Sequence, residues 1–202
     1  MTLYNEGSRA LQDRFDSRRI ADRLEEVNLR STFTDYQREL IDSAPMFWLA
    51  TADADGFPDV SYKGGLPGFV RVVGESEIAF PNYDGNGMYK SLGNVLVNPK
   101  VGLLFMRWTE RPRRIRVQGR ASLCWEDPLL SEWEGAQFVV RVQAERIFFN
   151  CPRYLHRWEL TEYSDYAPRA GHEPPVPDWK LRPEYREALP ERDRAALDAR
   201  GL

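Results

Sequence analysis

Histidine and cysteine are almost absent from this sequence, with two of each in 202 residues. His156 and His172 alone cannot furnish a histidine-rich metal site, so no metal is expected. Cys124 and Cys151 lie far apart without CxxC spacing, which removes a disulfide framework or a thiolate zinc site and fits reduced thiols in a cytoplasm. Positive charge is not in surplus either: 28 Lys and Arg against 31 Asp and Glu give a formal net charge of −3. Nothing in that balance draws the chain to a phosphate backbone or an anionic membrane, and neither nucleic acid nor membrane is expected as a partner. The opening MTLYNEGSRALQDRFDSRR lacks the apolar stretch of a signal peptide, and no later run reaches bilayer-spanning length. The expectation is a cytoplasmic protein whose redox or transfer chemistry, if it has any, calls for a bound organic cofactor.

What is present is a 42% hydrophobic chain, enough for one domain with a real core. The reading is a single domain over 1–202: a helical extension at 1–43, a barrel at 44–160 and a tail at 161–202. In residues 8–30 Leu11, Phe15, Ile20, Leu24 and Val27 recur at roughly helical spacing among charges, predicting one amphipathic helix that packs on the barrel or on a partner. Thr34 with Gln37 three residues on reads as a capping box ahead of a second helix, stopped by Pro45.

Short β-rich runs follow at 46–52, 57–62, 69–73, 77–80 and 101–108, with turn residues between them. The clearest strand is 113–124, where Ile115, Val117, Gly119, Ala121 and Leu123 alternate with Arg114, Arg116, Gln118, Arg120 and Ser122. The segment 137–149 alternates less cleanly and should pair in the same sheet. Between them Asp127, Pro128 and Gly135 mark the ends of a short helix. The fold class is mainly β with peripheral helices, an antiparallel barrel. Beyond Tyr163 the prolines and glycines predict an extended tail, with only a short helix near 191–200.

Three places carry candidate chemistry. In PNYDGNGMYKSLGNVLVNP, residues 81–99, helical periodicity puts Met88, Leu92 and Val95 on a packing stripe and Gly87, Lys90, Ser91 and Asn94 on another. Free amides at a helix start, the helix dipole, a lysine and a hydroxyl suit a phosphate monoester, although Gly85 and Gly87 can equally be a plain turn with Lys90 in solvent. Ser61, Tyr62, Lys63, Gly64 and Gly65 end a strand where glycines admit a flat ring close to the backbone, or else form a hairpin loop. Arg114 and Arg116 need an answering anion or surface pairing with carboxylates such as Glu110. The six tryptophans read as core or interface rather than as a stacking platform.

Taken in order, FWLATA, DGFPDVSYKGGLPGFVRV, FPNYDGNGMYKSLGNVLVNPKVGLLF and RIRVQGRASL resemble the pyridoxamine 5'-phosphate oxidase-related FMN-binding proteins, over about residues 44–124 and more loosely through NCPRYL. The resemblance implies an FMN-binding split β-barrel working as a homodimer, with the cofactor in a groove between subunits. It implies a cofactor site drawn from Ser61, Tyr62, Lys63 and Gly64, from Pro81, Asn86, Lys90, Ser91 and Asn94, and from Arg114 and Arg116 of the partner chain. FMN-dependent hydride exchange with a small-molecule substrate is the implied activity. The alternatives are a flavin store or sensor without turnover, and a deazaflavin F420 or haem binder on the same fold. The arginine and tryptophan segment that holds pyridoxal phosphate in true pyridoxamine phosphate oxidases has no match in residues 153–179, so vitamin B6 oxidation is not implied.

Overall fold

A computed structural model of the chain describes residues 2–109 and 111–202. The helical arm comes first, and it is two helices rather than one: α1 (Glu6–Arg14) and α2 (Arg18–Asn28). The break falls at Asp16, whose φ of 48° is left-handed, and Ser17 N–H closes it by donating to the carbonyl of Gln12 at 2.8 Å. Only Asp, Asn and Gly enter that region readily, so Asp16 supplies the corner. The arm's apolar side chains Leu11, Phe15, Ile20, Leu24 and Val27 remain exposed.

In α3 (Asp35–Asp42) the capping box is complete. Gln37 N–H donates to Thr34 Oγ1, and Thr34 N–H donates to Gln37 Oε1. The Gln37 side-chain oxygen is thereby satisfied although the residue is buried.

Seven strands follow: β1 (Met46–Ala52), β2 (Pro58–Gly64), β3 (Arg71–Val72), β4 (Glu77–Asn82), β5 (Lys100–Arg107), β6 (Arg113–Cys124) and β7 (Phe138–Asn150). They form one antiparallel sheet in the order β2-β1-β5-β6-β7-β4-β3. The helix α4 (Lys90–Val97) joins β4 to β5. Alternation decides what each face meets. Phe47 and Leu49 of β1, Leu103 and Phe105 of β5, and Ile115 and Val117 of β6 point inward and are fully or almost fully buried. Phe47 sits among Phe69, Phe80 and Phe105 at centroid distances of 5.8, 5.0 and 5.0 Å. The outer face of β2, β1 and β5 is apolar too: Tyr62 pairs with Trp48 and Trp48 with Leu104, while Val60 pairs with Ala50. Val60 is 65% exposed and Tyr62 63%.

The pairing of β6 with β7 carries one bulge, between Gln118 and Gly119. A Cβ on Gly119 would run into the backbone carbonyl of Gln143, so the bend requires glycine there. The β6–β7 connection holds the 3₁₀ turn Pro128–Glu132, capped by Asp127, whose Oδ1 accepts from Leu129 N–H at 2.9 Å.

The tail runs without helix or strand to Pro177 and ends in α6 (Glu191–Ala199), both as expected, with a 3₁₀ turn (Asp178–Leu181) and α5 (Pro183–Arg186) between them that the sequence did not signal. It is pinned to the barrel by Lys180, whose Nζ donates to Asp84 Oδ2 at 2.8 Å and to Asp193 Oδ2 at 2.9 Å. Among the described residues no helix is long and apolar enough to cross a membrane, and no group of three His, Cys, Asp or Glu is placed to hold a metal ion.

Asp127 gives a stability test. Its side chain is 2% exposed and paired with Arg141. The hydrogen bond from Arg141 holds its carboxyl below the ordinary aspartate range, against the opposing pull of burial and with help from the Leu129 amide. A carboxylate with a depressed folded-state pKa adds stability above its unfolded value of about 3.9, and that stability disappears as pH falls through the lower folded value. Urea unfolding of Asp127→Asn should therefore show a stability deficit against the parent chain at pH 7 that shrinks at pH 3. A deficit equal at the two pH values contradicts the pairing.

Candidate functional site

A cleft of about 510 Å³ opens where the end of β2, the end of β4 and the start of α4 meet. It is floored by Ser61, Tyr62 and Lys63 from β2 and by Lys90 and Ser91 from α4, with Asn86 in the loop between β4 and α4. These residues are far apart in sequence. The hairpin β1–β2, in register from Met46 opposite Gly64 to Ala52 opposite Pro58, brings the first group to the second.

Two side-chain hydrogen bonds fasten α4 to that hairpin. Ser91 Oγ donates to Asp59 Oδ2 at 2.6 Å, and Asn94 Nδ2 donates to Thr51 Oγ1 at 3.1 Å. Ser91 and Asn94 are both buried. The packing stripe is therefore Ser91, Leu92, Asn94 and Val95, not the one set by Met88. Met88 is 72% exposed because the helix begins only at Lys90. Asn94 does not line the cleft, and its amide is committed to the barrel.

The start of α4 is open. Tyr89 occupies the N-cap with a left-handed φ of 46° and gives no side-chain cap. An aromatic residue at that φ is a backbone outlier held by its surroundings, here by the donation of Tyr89 Oη to Gln137 Oε1 at 3.0 Å. The first amides of the helix are left to an external acceptor. Lys90 is exposed, and no carboxylate among the described residues pairs with it. Ser61 Oγ, on the opposite wall, is buried and has no hydrogen-bond partner.

Lys63 is half-buried, and burial lowers its pKa while the Asp59 carboxylate opposes that shift. Asp59 therefore has two tasks, accepting from Ser91 and steadying the Lys63 charge. Sequence reading missed it, although as a carboxylate beside Ser61 and Lys63 on one alternating strand it was visible.

The other expected site residues lie elsewhere. Pro81 is buried in β4 opposite Val139. Gly64 lines a second, larger groove of about 770 Å³, whose walls include Trp48, Trp108 and Trp158. Arg114 and Arg116 stand on the outer face of β6, opposite Met106 and Leu104 of β5. Arg114 Nε is buried without a partner, as is Oδ1 of Asn150, its cross-strand neighbour. Neither arginine pairs with a carboxylate among the described residues; Glu110 lies outside them. Tyr83 borders both the cleft and the larger groove and was missed altogether.

The family model for pyridoxamine 5'-phosphate oxidase matches residues 33–151, which span α3 through β7. The chain belongs to this family. The pyridoxamine 5'-phosphate oxidase family match therefore covers every residue of the cleft. No protein of curated function matches the chain. Among solved structures it is similar to HupZ of Group A Streptococcus, at 22% identity and a TM-score of 0.46 over 58% of this chain and 93% of that one. It is also similar to HutZ, the haem storage protein of Vibrio cholerae, at 18% identity and a TM-score of 0.42 over 55% and 89%. An FMN-binding protein from Syntrophomonas wolfei subsp. wolfei is similar at 14% identity and a TM-score of 0.44 over 71% and 97%.

The Lys63 environment makes a measurable prediction. In the full chain carrying ¹³C-labelled lysine, the Lys63 Cε resonance should titrate below the ordinary lysine pKa, and lower still in Asp59→Asn, where the opposing carboxylate charge is gone. A rise on that substitution contradicts the assigned geometry.

Proposed function

We propose that this chain is an FMN-dependent oxidoreductase acting as a homodimer. The observation that carries the proposal is the convergence, in one cleft, of a phosphate-type anion site and an unsatisfied buried hydroxyl. The uncapped start of α4 and the unpaired Lys90 offer aligned amides and a point charge, the combination that holds a phosphate monoester. Asp59 offsets Lys63 rather than Lys90, which leaves the helix start as the net positive end. Ser61 Oγ and Lys63 on the facing strand are suited to the polar edge of an isoalloxazine. A cation there stabilises the negative charge such a ring gains on reduction.

Bound FMN supplies reversible hydride chemistry at N5. The residues of this chain hold its phosphate, meet its polar edge and shape what approaches it. Lys90 and the first amides of α4 anchor, Ser61 and Lys63 contact, and Ser91 keeps the helix seated through Asp59. Neither histidine lines the cleft, which favours a flavin over a histidine-ligated haem as the occupant.

The homodimer is supported by apolar surface that this chain leaves uncovered. Val60 and Tyr62 on the outer sheet face, and Leu11, Phe15, Ile20, Leu24 and Val27 along α1 and α2, are exposed, and grouped apolar side chains of this kind mark an interaction surface. Arg114 and Arg116 lie on that same outer face, with one guanidinium nitrogen and the Asn150 carbonyl oxygen awaiting partners. A second copy related by a two-fold axis would bring both arginines toward the neighbouring cleft.

Lys90→Ala should weaken FMN roughly 10- to 150-fold, on the order of 1.5–3 kcal/mol for a hydrogen bond to a charged group. Quenching of flavin fluorescence measures it, and an unchanged affinity removes Lys90 from the site. Sedimentation should give twice the chain mass for the parent protein and a shift toward one chain mass for Val60→Asp, which buries a charge in the interface. A parent protein of single-chain mass refutes the dimer.

A further inference from the structure

We propose that the groove lined by the tryptophans binds an uncharged, planar aromatic carbonyl compound, with the Tyr83 hydroxyl donating to its oxygen. The groove lies between the barrel and residues 158–168 of the tail and encloses about 770 Å³, within the ordinary range of roughly 300–1,000 Å³ for a small-molecule site.

Its walls select for flat rings. Trp158 stacks on Trp108 at 5.5 Å with 19° between the planes, and Trp108 meets Trp48 edge-on at 6.0 Å. The tail is thus seated by an aromatic stack whose free edges border the groove, and aromatic surfaces of this kind favour offset-stacked or edge-on rings. Glycine shapes the same wall: a Cβ at Gly64 would overlap the Tyr62 ring, so the glycine leaves room for that ring to lie back along the strand end.

The charges on the lining argue for a neutral ligand. Arg107 is engaged by Glu39, and Asp84 is engaged by Lys180 and Arg192. The remaining acids, Glu159 and Glu162, are exposed and repel an anion.

Four tyrosine hydroxyls on the lining, those of Tyr62, Tyr83, Tyr163 and Tyr166, have no hydrogen-bond partner among the described residues, and Tyr83 alone of the four is not exposed. Burial raises the Tyr83 pKa to about 12, so its hydroxyl stays a neutral donor across the physiological range. A carbonyl oxygen is the acceptor that complements a half-buried hydroxyl on a largely aromatic wall. Tyr83 and Tyr62 border both the groove and the phosphate-type cleft, which puts this ligand beside the proposed flavin. The inference rests on the flavin reading for its chemistry, but its binding is tested independently.

The full chain is titrated calorimetrically with 2-acetylnaphthalene, and with naphthalene as the probe lacking a carbonyl, in the presence and absence of FMN. Saturable binding of the ketone is expected. Tyr83→Phe should weaken the ketone about two- to tenfold, the worth of one net hydrogen bond, and leave naphthalene unchanged. Met106→Trp, which fills the groove, should abolish both. Heats that do not saturate overturn the proposal, as does a Tyr83→Phe effect equal for both probes. If Met106→Trp dissociates a dimer while neither probe binds the parent chain, the groove is an interface between copies and the proposal fails. Visible absorbance follows FMN in the same samples. A chain that takes the ketone but not FMN supports the groove and overturns the flavin reading alone, and one that takes FMN but not the ketone overturns the groove alone.

Discussion

Asn94 lies on the buried side of α4, and its amide donates to Thr51 of β1 across a contact from which water is excluded. One turn earlier Ser91 donates to Asp59 of β2. Breaking either bond would leave a buried polar group without a partner, which costs more than the bond itself contributes. The helix is therefore held at one distance and rotation above the β1–β2 hairpin, and that placement sets the width of the cleft. Lys90 and the uncapped amides are left free at the cleft, because the Ser91 hydroxyl is committed to Asp59 and the Asn94 amide to Thr51. The glycines before the helix and the left-handed Tyr89 serve the same end, delivering the chain to a helix start with no side chain over its amides.

The same constraint explains where sequence reading succeeded and where it misled. The strand β6 was legible because its outer residues are polar or charged and its inner ones small or apolar. The capping box at Thr34 was legible because its two hydrogen bonds are local. In α4 the periodicity set Lys90, Ser91 and Asn94 on one stripe apart from Leu92 and Val95, whereas Ser91 and Asn94 are buried with Leu92 and Val95 and Lys90 alone of the three is exposed. It could not say that Ser91 and Asn94 would be taken by Asp59 and Thr51, since those partners lie 32 and 43 residues away. The break in the helical arm left a trace: Phe15 to Ile20 is a step of five residues, longer than a helical face allows, and Asp16 falls inside it. The tail's last helix was legible as a short run near 191–200, but its docking left no trace, because it depends on Lys180 meeting Asp84 across 96 residues. Burial disfavours the Lys180 charge, yet the two carboxylates outweigh that and raise its pKa above the ordinary lysine value.

Two compartments result, one proposed to hold a phosphate and the polar edge of a ring, the other walled by aromatic side chains and bordered by the tail. Tyr62 and Tyr83 form the boundary between them. Membership of the pyridoxamine 5'-phosphate oxidase family fits the first compartment, since the matched residues end at 151 and include all of it. The second draws part of its wall from residues 158–168, beyond the match, and it is there that this chain's own specificity would reside. The exposed apolar face of β2, β1 and β5 runs alongside both, so a second copy seated on it would complete the surroundings of each.

Parallel titration of the full chain with FMN and with riboflavin, which differ only in the phosphate, isolates what the start of α4 contributes. The account predicts that FMN binds at least about tenfold more tightly, as charge-assisted hydrogen bonds to a phosphate require, and that the difference narrows with added salt. Equal affinities for the two flavins, or no binding of either, would contradict it.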